Sequence, residues 1–208
     1  MGRKASERRV KEVTMVEVES LTGTQIASAI ADLARLRIAV FAAWPYLYEG
    51  DLAHESEYLR EFAASPGAVL VVARAGRAVV GAATAAPMAG QKAAFSAPFR
   101  EAGLDIEHLF YFGESVLLPS WRGQGVGHAF FDHRERHAQA NGARMATFAA
   151  VERPVDHPAR PQDYVPLDRF WTGRGYRRED ALSTTLRWKD KGESIESEKP
   201  MRYWLRRF

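Results

Sequence analysis

The chain has 208 residues, 46% of them hydrophobic, a formal net charge of +3 and no cysteine. That length suits one domain with elaborations, and the lack of cysteine removes disulfides, thiolate metal ligands and a cysteine nucleophile. The 29 basic and 26 acidic side chains are too balanced and scattered for a dedicated nucleic-acid binder, and no apolar stretch approaches the roughly 20 residues of a membrane span.

In chain order, Met1–Lys11 is basic but no apolar run follows it. It reads as a flexible tail rather than a signal peptide, ahead of one domain over 12–208 of a cytoplasmic protein. Val13 to Val18 alternates as a half-buried strand does. Thr22-Gly-Thr-Gln25 fits a capping box, and Ile26, Ile30, Leu33, Leu36 and Val40 supply a helical apolar face that Trp44-Pro45 stops. Tyr46 to Asp51 is an aromatic, acidic loop, and a shorter helix is predicted from Leu52 to Phe62. Ala68 to Arg74 and Arg77 to Thr84 read as a hairpin around Ala75-Gly76. Pro87 to Gly103 shows no clear period and is assigned to a loop. Leu109 to Leu118 is the next strand, Gly125 to Ala140 a helix stopped at Asn141-Gly142, and Ala143 to Val151 a strand. After a proline-rich loop from Arg153 to Pro166 comes a short helix, Leu167 to Thr172. Tyr176 to Trp188 and Pro200 to Phe208 are two closing strands joined by the charged segment Lys189 to Lys199. The order β-α-α-β-β-β-α-β-α-β-β is an α+β layout: a twisted, mixed and mostly antiparallel sheet with helices on both faces.

The most informative stretch is Pro119-Ser-Trp-Arg-Gly-Gln-Gly-Val-Gly-His128. A strand that feeds a glycine-rich turn and then a helix N-terminus makes a phosphate cradle, because glycines let backbone N–H groups approach an anion and the helix dipole favours negative charge. No lysine follows the last glycine, so this is not a nucleotide-hydrolase loop. The order Arg-x-x-Gly-x-Gly also differs from the dinucleotide fingerprint. A tight turn without a ligand explains one or two glycines more easily than Gly123, Gly125 and Gly127 together.

If Leu109–Leu118 is one regular strand, Phe110, Phe112, Glu114, Val116 and Leu118 share a face. A carboxylate among four apolar neighbours would be pushed up towards neutrality by burial, which suits a general base. The alternative is a Glu114 paired with a basic residue. His133 and His137 are spaced to clasp a metal, but the pattern is not H-E-x-x-H and no third ligand is evident, so no metal is assigned. Glu152, Asp156 and His157 read as ordinary loop polars rather than a second cluster. Tyr46, Tyr48, Glu49 and Asp51 would suit a cationic amine or simply pack on the sheet.

From about Val13 to Arg187 the chain resembles the GNAT superfamily of acyl-CoA-dependent N-acyltransferases. The resemblance is densest from Tyr111 to Gly142 and again in Phe170-Trp-Thr-Gly-Arg-Gly-Tyr176, similar to the family's aromatic signature near the C-terminus. It implies acetyl-CoA as co-substrate, its pyrophosphate on Arg122, Gly123, Gln124, Gly125, Val126, Gly127 and His128. It further implies a pantetheine arm paired with the strand edge at Val116, Leu117 and Leu118, with the Leu117 N–H polarising the thioester. Glu114 becomes the base, and an amine from a small molecule or peptide attacks directly. Trp171 stands where many relatives carry an acidic tyrosine, and Tyr164 where many carry an asparagine; Tyr164 or water is left to protonate the thiolate. Two other readings compete: a CoA-binding regulatory protein that lost catalysis, and a module binding another phosphate. Pro200–Phe208 reads either as the edge of a homodimer or as core.

Overall fold

The structure, a computed structural model, describes residues 15–208; the Met1–Lys11 tail and the start of the Val13–Val18 run lie outside them. The strands are β1 (Val16–Thr22), β2 (Val69–Ala75), β3 (Ala78–Pro87), β4 (Leu109–Tyr111), β5 (Ser115–Leu117), β6 (Met145–Val151), β7 (Arg177–Trp188) and β8 (Ser197–Arg207). The helices are α1 (Ile30–Phe41), α2 (Leu52–Ala63), α3 (Ala93–Glu101), α4 (Val126–Ala140) and α5 (Asp168–Gly173). The sheet runs β1-β2-β3-β4-β6-β8-β7, with β5 also beside β3. Every pair is antiparallel except β4 with β6.

Alternation along β2 divides the core. Val69, Val71 and Ala73 join Phe110, Phe112, Phe130 and Phe131 beneath α4. Leu70 and Val72 join Ile26, Leu33, Leu36 and Leu59 from the α1–α2 side. All five β2 residues are buried, as expected for a strand covered on both faces. The capping box forms in part: the Thr22 N–H donates to Gln25 Oε1 (3.3 Å), and a 3-10 segment, Gly23–Ala29, precedes α1. After α4, the Ala143 N–H reaches back to the Ala138 carbonyl (3.0 Å) around Gly142, whose φ is +81°.

Three expectations are corrected. The loop assigned to Pro87–Gly103 contains α3, which buries Ser96 and Phe99. Pro98 hid its helical period. The carbonyl that Pro98 cannot serve, that of Ala94, accepts the Thr184 hydroxyl instead (2.7 Å). Of the two readings of Pro200–Phe208, edge or core, the second holds and the first is corrected: β8 lies between β6 and β7, and Tyr203 and Trp204 are core.

The third correction shapes the site. Leu109–Leu118 is not one strand. Tyr111 pairs with Ala86 and Ser115 with Ala83, so Phe112, Gly113 and Glu114 oppose only Thr84 and Ala85. The extra residue is a β-bulge, and it inverts the side-chain parity. Phe110 and Phe112 stay beneath α4, whereas Val116 packs on the α1–α2 side and Glu114 turns to meet α1. The bulge is held by Thr84, whose N–H donates to the Glu114 carbonyl (3.0 Å) and whose Oγ1 accepts the Glu114 N–H (3.1 Å). A Cβ at Gly113 would lie 2.7 Å from that Oγ1. Gly113→Ala is therefore expected to cost about 1–3 kcal/mol, read as a lower urea midpoint; an unchanged midpoint would show that the bulge tolerates a side chain.

Candidate active site

Two strands part at the bulge. β4 and β6 pair from Leu109/Met145 to Tyr111/Thr147, and the Phe112 N–H adds one more bond to the Thr147 carbonyl (2.8 Å). Beyond it β5 pairs only with β3, and β6 only with β8. A wedge opens between β5 and β6. On either side of β5 the Glu114 carbonyl and the Leu118 N–H bond to β3, so by antiparallel alternation Val116 also faces β3. The backbone groups of Ser115 and Leu117 point into the wedge. Of the three residues expected to pair with a pantetheine arm, Leu117 is the one whose amide is turned to the opening. The Arg122 Nε donates to its carbonyl (3.3 Å).

The glycine loop follows directly. A 3-10 turn, Pro119–Trp121, uses the Arg122 N–H on the Pro119 carbonyl (3.2 Å), and Gln124 Nε2 donates to the Ser120 carbonyl (3.3 Å). Gly123 and Gly125 have φ of +75° and +82°, and a Cβ on either would meet nothing within 4 Å. The first bond of the α4 ladder is Ala129 N–H to Gly125 carbonyl (3.1 Å), so the N–H groups of Val126, Gly127 and His128 precede the ladder at the positive end of the helix. These unladdered N–H groups are free to donate to an anion. A groove of about 370 Å³ runs alongside, between Val16 and Val18 of β1 and Gln124 to Ala129. Phe170 of α5 packs on His128 (ring centroids 4.8 Å apart), which joins the second motif to the cradle. Trp171 lies against Phe148 and Trp204 at 5.0 and 5.1 Å.

On the other side of the wedge stands a buried polar cluster. Glu114 is 7% exposed and its Oε2 accepts from Arg37 Nη1 of α1 at 2.6 Å. The carboxylate is thus ion-paired rather than surrounded by apolar side chains alone. Arg37 Nε also pairs with Glu55 of α2, whose second oxygen accepts the Tyr48 hydroxyl (2.7 Å). The guanidinium lies over the rings of Tyr58 (4.9 Å) and Phe41 (5.2 Å). Burial alone would lower the Arg37 pKa, but Glu114, then Tyr58 and Glu55, outweigh it and hold the cation above its usual range. Burial, with Glu114 nearby, pushes Tyr58 and Tyr111 up, and Tyr46 up to about 12. These phenols keep their protons at neutral pH.

The remaining candidates have partners of their own within the fold. Tyr46 packs on Phe41 (4.4 Å) and Trp188 (5.9 Å), Glu49 pairs with Lys189 (3.2 Å), and Asp51 accepts the Ala53 N–H at the start of α2 (2.8 Å). This loop is fastened by Arg153, which donates to the Pro45 and Tyr46 carbonyls (2.9 and 2.8 Å) and grips Asp190 with two bonds (2.7 and 2.9 Å). Glu152 pairs with Arg178 (2.6 Å) and Arg202 (3.1 Å), and His157 lies against Trp44 (5.0 Å). His133 bonds to Ser20 Oγ (2.8 Å) and His137 to the Gly67 carbonyl (2.9 Å). Among the described residues no three His, Cys, Asp or Glu side chains are grouped to hold a metal.

A family model described as the acetyltransferase (GNAT) family matches residues 36–161. The chain belongs to that family. Acyl-CoA is the co-substrate of GNAT enzymes, and the wedge and cradle fit it: an open strand edge for an amide-bearing arm, then unladdered N–H groups for a diphosphate. The fold is shared with solved GNAT structures at low identity. A ribosomal-protein-alanine N-acetyltransferase from Brucella melitensis superimposes with a TM-score of 0.58 at 12% identity, over 92% of this chain and 99% of that one. The Salmonella typhimurium protein yncA, solved with its cofactor acetyl-CoA, gives 0.56 at 10% identity, over 92% and 93%. An aminoglycoside 6'-acetyltransferase type Ii gives 0.55 at 16%, over 92% and 96%. No curated protein matches the chain. Among the described residues no helix is long and apolar enough to cross a membrane.

The residues that sequence reasoning missed are Arg37, Glu55, Arg134 and Arg153. Three of them carried a signal. Arg37 is four residues after Leu33, Glu55 four before Leu59 and Arg134 four after Phe130, so each charge falls on a helix's apolar stripe. Arg134 is 1% exposed, and its Nη1 lies 3.4 Å from both the Thr84 and Glu114 carbonyls, beneath the bulge. Burial draws its pKa down to about 10.

Proposed function

We propose that this protein is an N-acyltransferase that moves an acyl group, acetyl first among them, from acyl-CoA to a primary amine of a small molecule or peptide. The observation that carries the reading is the juxtaposition at the bulge: an acidic side chain, an open strand edge and a glycine cradle within one stretch, Glu114–His128. The N–H groups from Gly123 to His128 take the diphosphate, and the edge at Leu117 pairs with the pantetheine amides. The Leu117 N–H donates to the thioester carbonyl as charge develops on its oxygen. Glu114 accepts a proton from the acceptor ammonium, directly or through water; the freed amine attacks the acyl carbon and the thiolate leaves. Trp171 has no transferable proton for that thiolate, so Tyr164 or water supplies it. Burial and Asp168 hold the Tyr164 pKa up, which keeps the phenol protonated. The acceptors named for the Brucella and aminoglycoside enzymes differ widely, and we assign the acceptor side here to α1, α2 and their loop, which bring Arg37, Glu55 and Tyr48 beside Glu114.

The first test is thermal unfolding with acetyl-CoA, free CoA, ATP and NAD at matched concentrations. A ligand at about a hundred times its Kd should add about 2.7 kcal/mol, a shift of several degrees. The expected result is a shift with the CoA species alone. A larger shift with ATP or NAD would overturn the reading.

A further inference from the structure

We infer that Arg37 is a positioning residue for the proposed base: it grips one oxygen of Glu114 and leaves the other to the acceptor amine, while Glu55 and Tyr48 lock Arg37 in place. The inference rests on the acyltransferase reading for its purpose, though not for its geometry.

The two carboxylates of the cluster are not equivalent. Glu55 is 1% exposed and both of its oxygens are taken, one by Arg37 Nε and one by the Tyr48 hydroxyl at 2.7 Å. With both oxygens engaged and almost no exposed surface, Glu55 offers a substrate proton no approach. Glu114 has only Oε2 engaged, by Arg37 Nη1 at 2.6 Å; among the described residues Oε1 accepts no hydrogen bond, and it is not among the sealed, unpartnered atoms. An ionised carboxylate accepts at both oxygens, so holding one defines the direction of the other. The main chain of Glu114 is fixed independently, by Thr84 on one side and Arg134 Nη1 on the other. With backbone and Oε2 both anchored, the side chain has little freedom left.

Arg37 suits the task because its planar fork serves two carboxylates at once, Nε to Glu55 and Nη1 to Glu114. The rings of Tyr58 and Phe41 cover its faces. Lysine carries the charge but not the fork. Tyr46, Tyr48, Tyr58 and Tyr111 are the titratable groups around the cluster, from α2, β4 and the α1–α2 loop, and Arg134 from α4 lies under the bulge.

The grip is read without turnover in 15N spectra of the arginine side chains. In the wild type the Arg37 Nε–H resonance should exchange slowly. Glu55→Gln should speed that exchange, and Glu114→Gln should move the Arg37 Nη signals while the fold persists. Unmoved Arg37 signals in both variants would overturn the inference, whatever the fate of the acyltransferase reading. Turnover with acetyl-CoA and a primary-amine panel gives the second readout. Arg37→Gln should lower kcat roughly tenfold to a hundredfold with the Kd of acetyl-CoA, measured by calorimetry, unchanged. Arg37→Lys should recover part of the loss. Wild-type kcat in Arg37→Gln would overturn the role, and a loss of acetyl-CoA binding in the same variant would mark Arg37 as merely structural.

Discussion

Glu114→Gln is expected to lower kcat for acetyl transfer by roughly 10²- to 10⁴-fold, the usual contribution of a positioned general base. The amide keeps the size and shape of the side chain. It cannot take a proton from an ammonium. Folding should survive, because Arg37 retains Glu55 as an ionic partner and the bulge is held by backbone bonds to Thr84. The Kd of acetyl-CoA should stay at its wild-type value, since the cradle and the Leu117 edge use main-chain groups. Steady-state rates with a primary-amine panel, beside calorimetry with acetyl-CoA, check both halves. A variant with unchanged kcat would remove Glu114 from the chemistry. A variant with weakened acetyl-CoA binding and unchanged kcat would move it to the binding site.

The second large effect is expected at Gly125. Its φ of +82° lies in the left-handed region, and it is the N-cap of α4. A β-branched residue there pays about 1–3 kcal/mol for the backbone conformation or rotates the peptide out of it. Space does not oppose the side chain, as a Cβ would meet nothing within 4 Å. The strain is therefore conformational, and the simplest relief is to rotate the peptide units of the loop and with them its N–H groups. Gly125→Val should fold with a modestly lower midpoint, yet weaken acetyl-CoA binding at least tenfold and abolish most of the ligand-induced thermal shift. Equal acetyl-CoA affinity in variant and wild type would detach the glycine loop from the diphosphate. Gly127→Ala is the control: its φ is not positive, and its Cβ would make ordinary contact with Phe170 at 3.5 Å.

Much of this architecture was legible in the sequence, and the misses share a cause. The strands and helices from Ala68 to Arg74 and from Gly125 to Val151 have strong periods, and the structure places them within two residues of the sequence reading. The glycine loop was legible because glycines at alternate positions ahead of a helix point to left-handed backbone there, and Gly123 and Gly125 have positive φ at the N-terminus of α4. Helix α3 was missed because Pro98 masks its period, and the carbonyl it releases is satisfied by Thr184, distant in sequence. The bulge was missed because parity is a property of pairing. Phe110 to Leu118 alternates well enough to pass for a single strand, and nothing within it reveals that Thr84 and Ala85 face three residues. Of the two readings of Glu114, the paired one holds, but its partner was hidden for the same reason: it comes from α1, 77 residues earlier. Local pattern reports the period of an element, whereas the company a charge keeps depends on which elements meet. A charge on the apolar stripe of a helix is the nearest thing to a local sign of such company, and Arg37, Glu55 and Arg134 each displayed it.

The wedge between β5 and β6 divides the molecule's capacity for change. On its cradle side, recognition would rest on peptide groups common to every residue, so most side-chain replacements there alter little provided the glycine conformations survive. The polar cluster beside Glu114 is the opposite. Arg37, Tyr48, Glu55 and Tyr58 meet through specific terminal atoms, and changing one strips its neighbours of partners. Under the proposed function, a donor read by main chain and an acceptor read by side chain would be retuned separately: new amines would call for edits to α1, α2 and the loop between them, with the acyl-carrying half left as it is.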